Sequence, residues 1–239
     1  MKSKSLRQMD LSHMAHCMAK DRADPADITQ AVGAFLNNHE MTANDPADNG
    51  SPLIVQAMEY SRNAALVKAL LECGADLHWR DCDGNTLMHY AVYFAFQARH
   101  TGHDPFHNGF TPCIMEILLD KGLTFNERNN NSDTPLFAMW WALSHPPSAS
   151  FLDAVLHFEI IPQTKKMLQW LSENSNNMFA KNNAGHSFLT WTHVDRYASI
   201  YPEYLQLEEV IRPYKDQEQA HTLAQSLGDS SRIRLARKI

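Results

Sequence analysis

His100, His103 and His107 fall in one short stretch with Asp104, and Cys113 follows. All are metal-ligand types, and spacings of three and four would align the histidines on one helical face. A zinc site needs three or four nitrogen, sulfur or oxygen ligands converging at about 2.0–2.3 Å. Gly102 and Pro105 interrupt any such helix, so the stretch at 96–110 reads as a polar loop. A metal-dependent protein or enzyme using that loop is the alternative reading of the chain. Cys17 lies one helical turn from His13 and next to His16, which resembles a nucleophile beside its base. Neither an orienting third group nor an oxyanion donor accompanies it. Glu208-Glu209 sit in a helical pattern with Leu205 and Val210 and read as a solvated face. Phosphate-loop, dinucleotide, nucleophile-elbow and zinc-protease motifs are absent. No catalytic residue and no cofactor is expected.

The 239 residues are 44% apolar and 20% charged, which is ordinary globular composition and enough chain for a real core. A net charge of -6 gives no overall attraction to nucleic acid or anionic lipid, so neither partner is expected. Apolar runs such as 94–96 and 139–143 fall far short of the roughly 20 residues of a membrane span. Residues 1–10 carry basic side chains without an apolar segment, as a chain without a secretory signal would. Four cysteines without a CxxC pair suggest reduced thiols and a cytoplasmic location. A chain delivered by a specialised secretion route would look the same.

Positioning elements come from a repeat. Leu70-Leu71-Glu72-Cys73-Gly74-Ala75-Asp76 is followed by Asp83-Gly84-Asn85-Thr86-Leu87-Met88-His89-Tyr90-Ala91. This resembles the ankyrin repeat: a helix ending in a glycine, an extended turn, then a helix opening after Asp-Gly. Gly74 suits the left-handed position at a helix end, and Gly84 suits the tight turn. Thr86 can cap the next helix by accepting from a free N–H. The resemblance gives His89 a structural bond to a neighbouring turn. Weaker copies are Asn49-Gly50-Ser51-Pro52-Leu53, with Ser51 as cap and Pro52 at the first helical position. Others are Leu118 to Asn126 with Asp133-Thr134-Pro135-Leu136, and 179–189. Phe35-Leu36-Asn37-Asn38-His39 stands where a helix end belongs.

Taking Ser51, Thr86, Thr134 and Ser187 as anchors, the gaps are 35, 48 and 53 residues. The later gaps exceed the usual 33 of the repeat, placing one insertion near 96–110 and another that includes an added helix at 151–157 or 165–173, joined across Pro162. The expected architecture is an all-α ankyrin-repeat solenoid of stacked helix-turn-helix units. The units run 10–45, 46–80, 81–127, 128–180 and 181–213, a capping helix 215–227 completes a single domain over 1–229, and a basic tail occupies 230–239.

Members of the family bind proteins with the concave face of their first helices and with their turn tips. Carried onto this chain, that implies partner contacts at Trp79, Arg80, Tyr90, Tyr93, Phe94, Trp141 and Trp191, with Val55, Met58 and Glu59 in the second unit and Arg128, Asn129, Lys181 and Asn182 at further tips. The implied function is a non-catalytic module that binds, masks or inhibits another protein; bacterial effectors and small toxin antidotes share this build. A monomer is expected in the absence of its partner.

Overall fold

The computed structural model describes residues 23–46, 50–61, 64–97, 113–139, 161–174, 178–189 and 204–236, together with Leu11, His13, Met14 and Cys17. Among these the protein is all-α, with no strand, and isolated bridges at Pro46–Pro52 and Arg80–Thr86. Contacts divide the chain into two units, Met1–His145 and Pro146–Ile239.

In the first unit the helices are α1 (Pro25–Asn38), α2 (Leu53–Gln56), α3 (Ala64–Glu72), α4 (Leu87–Gln97) and α5 (Cys113–Asp120). A π-helical turn, Ala57–Ser61, continues α2. α1 begins where Asp24 accepts from Ala26 N at 2.8 Å and Pro25 needs no donor partner. Its buried residues, Ile28, Val32 and Leu36, recur every fourth position and form one stripe. That stripe is the reason α1 packs on α3, in which Leu66, Val67, Ala69 and Leu70 are buried among several neighbours. α3 in turn contacts α5, while the π turn contacts α4. First helices therefore touch first helices, and second helices touch second helices.

Three second helices end alike. Met41 N donates to Leu36 O, Ala75 N to Leu70 O and Leu123 N to Leu118 O, at 2.9–3.0 Å. This closing bond needs a left-handed residue just before the donor, and Glu40, Gly74 and Gly122 have φ of 54°, 91° and 96°. The first helix end therefore falls at Glu40, one residue beyond the position expected from Phe35 to His39. His39 still has an ordinary φ of -109°.

The turns repeat as faithfully. Asp81 N donates to Asn85 O, Asn129 N to Asp133 O and Asn182 N to His186 O. Each of the three side chains also accepts two backbone N–H bonds from its own loop. Gly50, Gly84, Ser132 and Gly185 share the left-handed position, with φ between 60° and 80°. These positions correct the register of the second unit. Gly50 matches Gly84, and the Pro46–Pro52 bridge matches Arg80–Thr86, so the counterpart of Thr86 is Pro52 rather than Ser51. Pro52 is itself the N-cap of α2, and no side-chain cap bond is made there.

In the second unit α6 (Ile161–Asn174) contacts α7 (Tyr204–Ala236). α6 starts at Ile161, so Pro162 lies in its first turn, where a missing N–H leaves no helical bond unmade. α7 is one 33-residue helix, not a unit ending at 213 followed by a cap over 215–227. Pro213 removes the N–H that Glu209 O would accept, yet the helix continues. Ile211 and Glu218, on either side of it, are both buried on one face, and Glu218 Oε2 accepts from Ser187 Oγ at 2.8 Å.

Gly84 carries a second constraint. A Cβ there would lie 2.5 Å from Asn130 Oδ1 and 3.0 Å from Asn130 N, whereas one at Gly122 would meet nothing within 4 Å. Gly84→Ala should therefore cost more than about 2 kcal/mol and Gly122→Ala about 1–2 kcal/mol. Ser132→Gly should gain about 0.5–1 kcal/mol by relieving a left-handed non-glycine. Urea midpoints at unchanged slope measure all three, and equal losses at Gly84 and Gly122 would defeat the argument from turn packing.

Candidate protein-interaction site

The turn at 80–86 is bonded to the turn at 128–134 by a ladder of short contacts. Asn130 N donates to Asp83 O at 2.9 Å, and Asn130 Nδ2 donates to Cys82 O at 3.1 Å. Asn129 Nδ2 donates to Asn85 Oδ1, and Asn85 Nδ2 to Asp81 Oδ2, both at 2.9 Å. That satisfies the buried amide of Asn85, which would otherwise lose hydration without compensation. Arg80 Nη1 donates to Gly84 O at 2.7 Å and to Arg128 O at 2.9 Å. Arg128 Nη1 repeats the first of these bonds on Ser132 O at 2.7 Å. Both arginines remain exposed, but these bonds hold their own turns together.

His89 joins this ladder to α4. Thr86 N donates to His89 Nδ1 at 3.1 Å, so that nitrogen is unprotonated and the Thr86 hydroxyl, 2.9 Å away, donates to it as well. His89 Nε2–H then donates to Asp133 O at 3.1 Å. The start of α4 is thus capped by His89 reaching back, as in a capping box, and the Thr86 hydroxyl acts as donor, not acceptor. At 4% exposure, burial holds the His89 pKa below its usual value, against the smaller opposing effect of the Asp133 carbonyl.

On this frame α4 presents a row of rings. Trp79 lies 5.7 Å from Tyr90, Tyr90 lies 5.8 Å from Phe94, and Phe94 lies 5.2 Å from Tyr93 edge-on. Trp79, Tyr90 and Tyr93 are partly exposed. Phe94 is 8% exposed and serves as the inner ring on which Tyr90 and Tyr93 rest. Tyr90 Oη donates to Asp81 Oδ2 at 3.0 Å, and burial together with that carboxylate raises its phenol well above the usual range.

Trp79 also lines a cleft of about 440 Å³ with Asn44, Pro46, Gly50, Pro52, Ile54 and Asp76. Sequence reasoning missed this cleft. It forms because Asn44 ties the two helix ends together: Asn44 Nδ2 donates to Gly74 O at 2.9 Å, and Asp76 N donates to Asn44 Oδ1 at 2.7 Å. A 34-residue offset would have paired Pro46 with Arg80 and exposed the symmetry.

The corrected register also moves the second-unit positions. Val55 and Met58 are buried at 2% and 0% because they match His89 and Val92. Gln56 and Glu59 are partly exposed and match Tyr90 and Tyr93. Burial raises the carboxyl pKa of Glu59.

Trp141, Trp191, His100, His103 and His107 lie outside the described residues. Cys113 is exposed at the first position of α5. Among the described residues no group of three His, Cys, Asp or Glu converges as a metal site, and no helix is long and apolar enough to cross a membrane. Cys17 Sγ lies 3.6 Å from His13 Nε2, and no third group is positioned on the pair among those residues.

No family model matches the chain. Over 91 residues, 37% of its length, it is 33% identical to a protein of Acanthamoeba polyphaga mimivirus named as an ankyrin repeat protein. Its resemblance is to the ankyrin-repeat family. The chain spans about 10% of the length of that relative.

His89 links this geometry to pH. Its unfolded pKa is near 6.5 and its folded pKa is lower, so the unfolded chain takes up the proton first as pH falls below about 6.5, and stability declines through that window. His89→Ala should lose about 1–3 kcal/mol at pH 8, because Thr86 N and Asp133 O lose their partner. The gap between wild type and variant should narrow toward pH 5.5 in denaturation curves. Parallel pH profiles would show that His89 contributes no proton linkage.

Proposed function

We propose that the repeats of the first unit stack as an ankyrin solenoid and that the chain is a non-catalytic module binding another protein through the Trp79–Tyr90–Tyr93 face and the adjoining cleft. The observation that carries this reading is the continuity of a partly exposed aromatic row with a concave cleft through one shared residue, Trp79. Binding hot spots are enriched in tryptophan and tyrosine and surround themselves with contacts that exclude water. Here the rings are held in place before any partner arrives, since Tyr90 is bonded to Asp81 and Phe94 lies beneath its neighbours. Preorganisation of this kind lowers the ordering cost of association.

The same face suggests the character of the partner. Among the described residues the cleft lining holds the carboxylate of Asp76 and no basic side chain, and Glu59 stands at the position equivalent to Tyr93. A segment combining apolar side chains with lysine or arginine would fill the cleft and bring its cation to the carboxylates of Asp76 and Glu59. Masking or inhibition would follow from occupying a partner's own functional surface.

Trp79→Ala with Tyr93→Ala should weaken binding by about 2 kcal/mol or more, roughly 30-fold, whereas Tyr90→Phe, which keeps the ring, should change it by less than about threefold. Glu59→Lys should weaken it further. Titration calorimetry against a captured partner measures each, with circular dichroism confirming equal helix content. A partner bound equally well by the Trp79/Tyr93 double variant would place the interface elsewhere.

A further inference from the structure

Two groups that line the cleft beside Trp79 have bonding capacity to spare. Asp76 Oδ1 accepts from His78 N at 2.9 Å, which fixes the side chain over its own turn, while its second oxygen has no partner among the described residues. The Trp79 indole is half-buried, touching the Tyr90 ring and lining the cleft as well. Asn44, by contrast, is already engaged with Gly74 O and Asp76 N. Pro46, Pro52 and Ile54 supply apolar walls, and a Cβ at Gly50 would meet nothing within 4 Å, so the cleft is open on that side. The surrounding charge is largely of one sign. Among the described residues from 40 to 97, seven carboxylates stand against two cations, Lys68 and Arg80. The Arg80 guanidinium is held by Gly84 O and Arg128 O, which leaves the acidic character of the face in place.

We infer that this cleft receives one arginine side chain of the protein partner, its guanidinium lying on the Trp79 ring and donating to the second oxygen of Asp76. The inference rests on the partner-binding reading and names the group that anchors it. A cation over the face of an indole is attracted by the negative face of the ring, and a hydrogen bond between two ionised groups is stronger than one between neutral groups. Arginine satisfies both at once. Its guanidinium is planar, so one face can stack on the ring while an N–H edge points sideways to the carboxylate. It is also more weakly hydrated than an ammonium, so entry costs it less water. Lysine supplies the charge but has no flat face to stack. The methylenes of the arginine stem would lie along Pro46, Pro52 and Ile54, burying apolar surface while the charge stays with Asp76. A phosphate or carboxylate ligand would instead meet the repulsion of the surrounding carboxylates.

Titration of the full chain with the peptide acetyl-Leu-Arg-Leu-amide tests it, followed by NMR at the Trp79 indole N–H, which is identified by its loss in Trp79→Phe. The peptide should shift that signal with a dissociation constant of about 1 mM. The lysine version should bind at least threefold more weakly. The citrulline version, which keeps the planar shape without the charge, should bind at least tenfold more weakly. Asp76→Asn keeps the oxygen that accepts from His78 N, so it should leave the circular dichroism spectrum unchanged yet weaken the arginine peptide at least fivefold. Equal binding of the arginine and citrulline peptides overturns the inference, as does an indole signal that responds to none of the three or an affinity untouched by Asp76→Asn. A captured partner separates this failure from that of the wider reading. Binding lost with Trp79→Ala/Tyr93→Ala but kept with Asp76→Asn overturns the arginine anchor alone, whereas binding kept with both overturns the aromatic face as well.

Discussion

The His89 side chain holds together what the rest of the first unit requires. One imidazole accepts from the backbone where α4 begins and donates to the carbonyl of Asp133 in the next turn. A single ring thereby fixes the helix start and the spacing between successive turns. Those turns cannot drift apart, because Asn130 also bonds to Asp83 and Cys82 across the gap. Their close approach depends on Gly84, since the absence of a side chain there is what leaves room for Asn130. The rings of Trp79 and Tyr90 stand on either side of this turn, so their separation is set by hydrogen bonds beneath the surface they form.

Much of the repeat was legible because its turns demand particular residues. Gly74, Gly84 and Gly185 mark left-handed backbone, and a glycine at such a place is visible in a sequence. Glu40 and Ser132 fill the same positions with ordinary side chains, so nothing in their letters announces the turn. Ser51 misled in the opposite way: a serine before a proline reads as a cap, but Gly50 and the Pro46–Pro52 bridge move the helix start to Pro52. That single-residue displacement was enough to direct Val55 and Met58 into the core and leave Gln56 and Glu59 toward solvent. The cleft at Trp79 was invisible for a related reason, since it exists only when two turns from different repeats are brought together by Asn44.

α7 was obscured by a local rule that packing overrides. Proline inside a helix normally ends it or kinks it, at a cost of about 3 kcal/mol. Here the residues flanking Pro213 are anchored on one face by the burial of Ile211 and by the bond between Ser187 and Glu218. Ser187 occupies the place that Thr86 holds in the specific repeat, but residue 190 is a threonine where His89 would stand. Its hydroxyl, with no such histidine three residues on, reaches a carboxylate on α7 instead.

That exchange explains how a repeat can diverge in sequence and still keep its turn. In the turn at 81–86 the hydroxyl at the helix start is satisfied by an imidazole that then reaches the following turn. In the turn at 182–187 the loop is closed by the same Asn182 bonds, but the hydroxyl is turned to a long helix of its own unit. A turn whose polar groups bond to a helix within its own unit has no need of a histidine that reaches a following turn. In this turn a threonine at position 190 and the bond from Ser187 to the buried Glu218 stand where the other turn has His89 and its bonds. α7 is thus held through Ile211 and Glu218, while Leu223 and Leu227 farther along it are exposed.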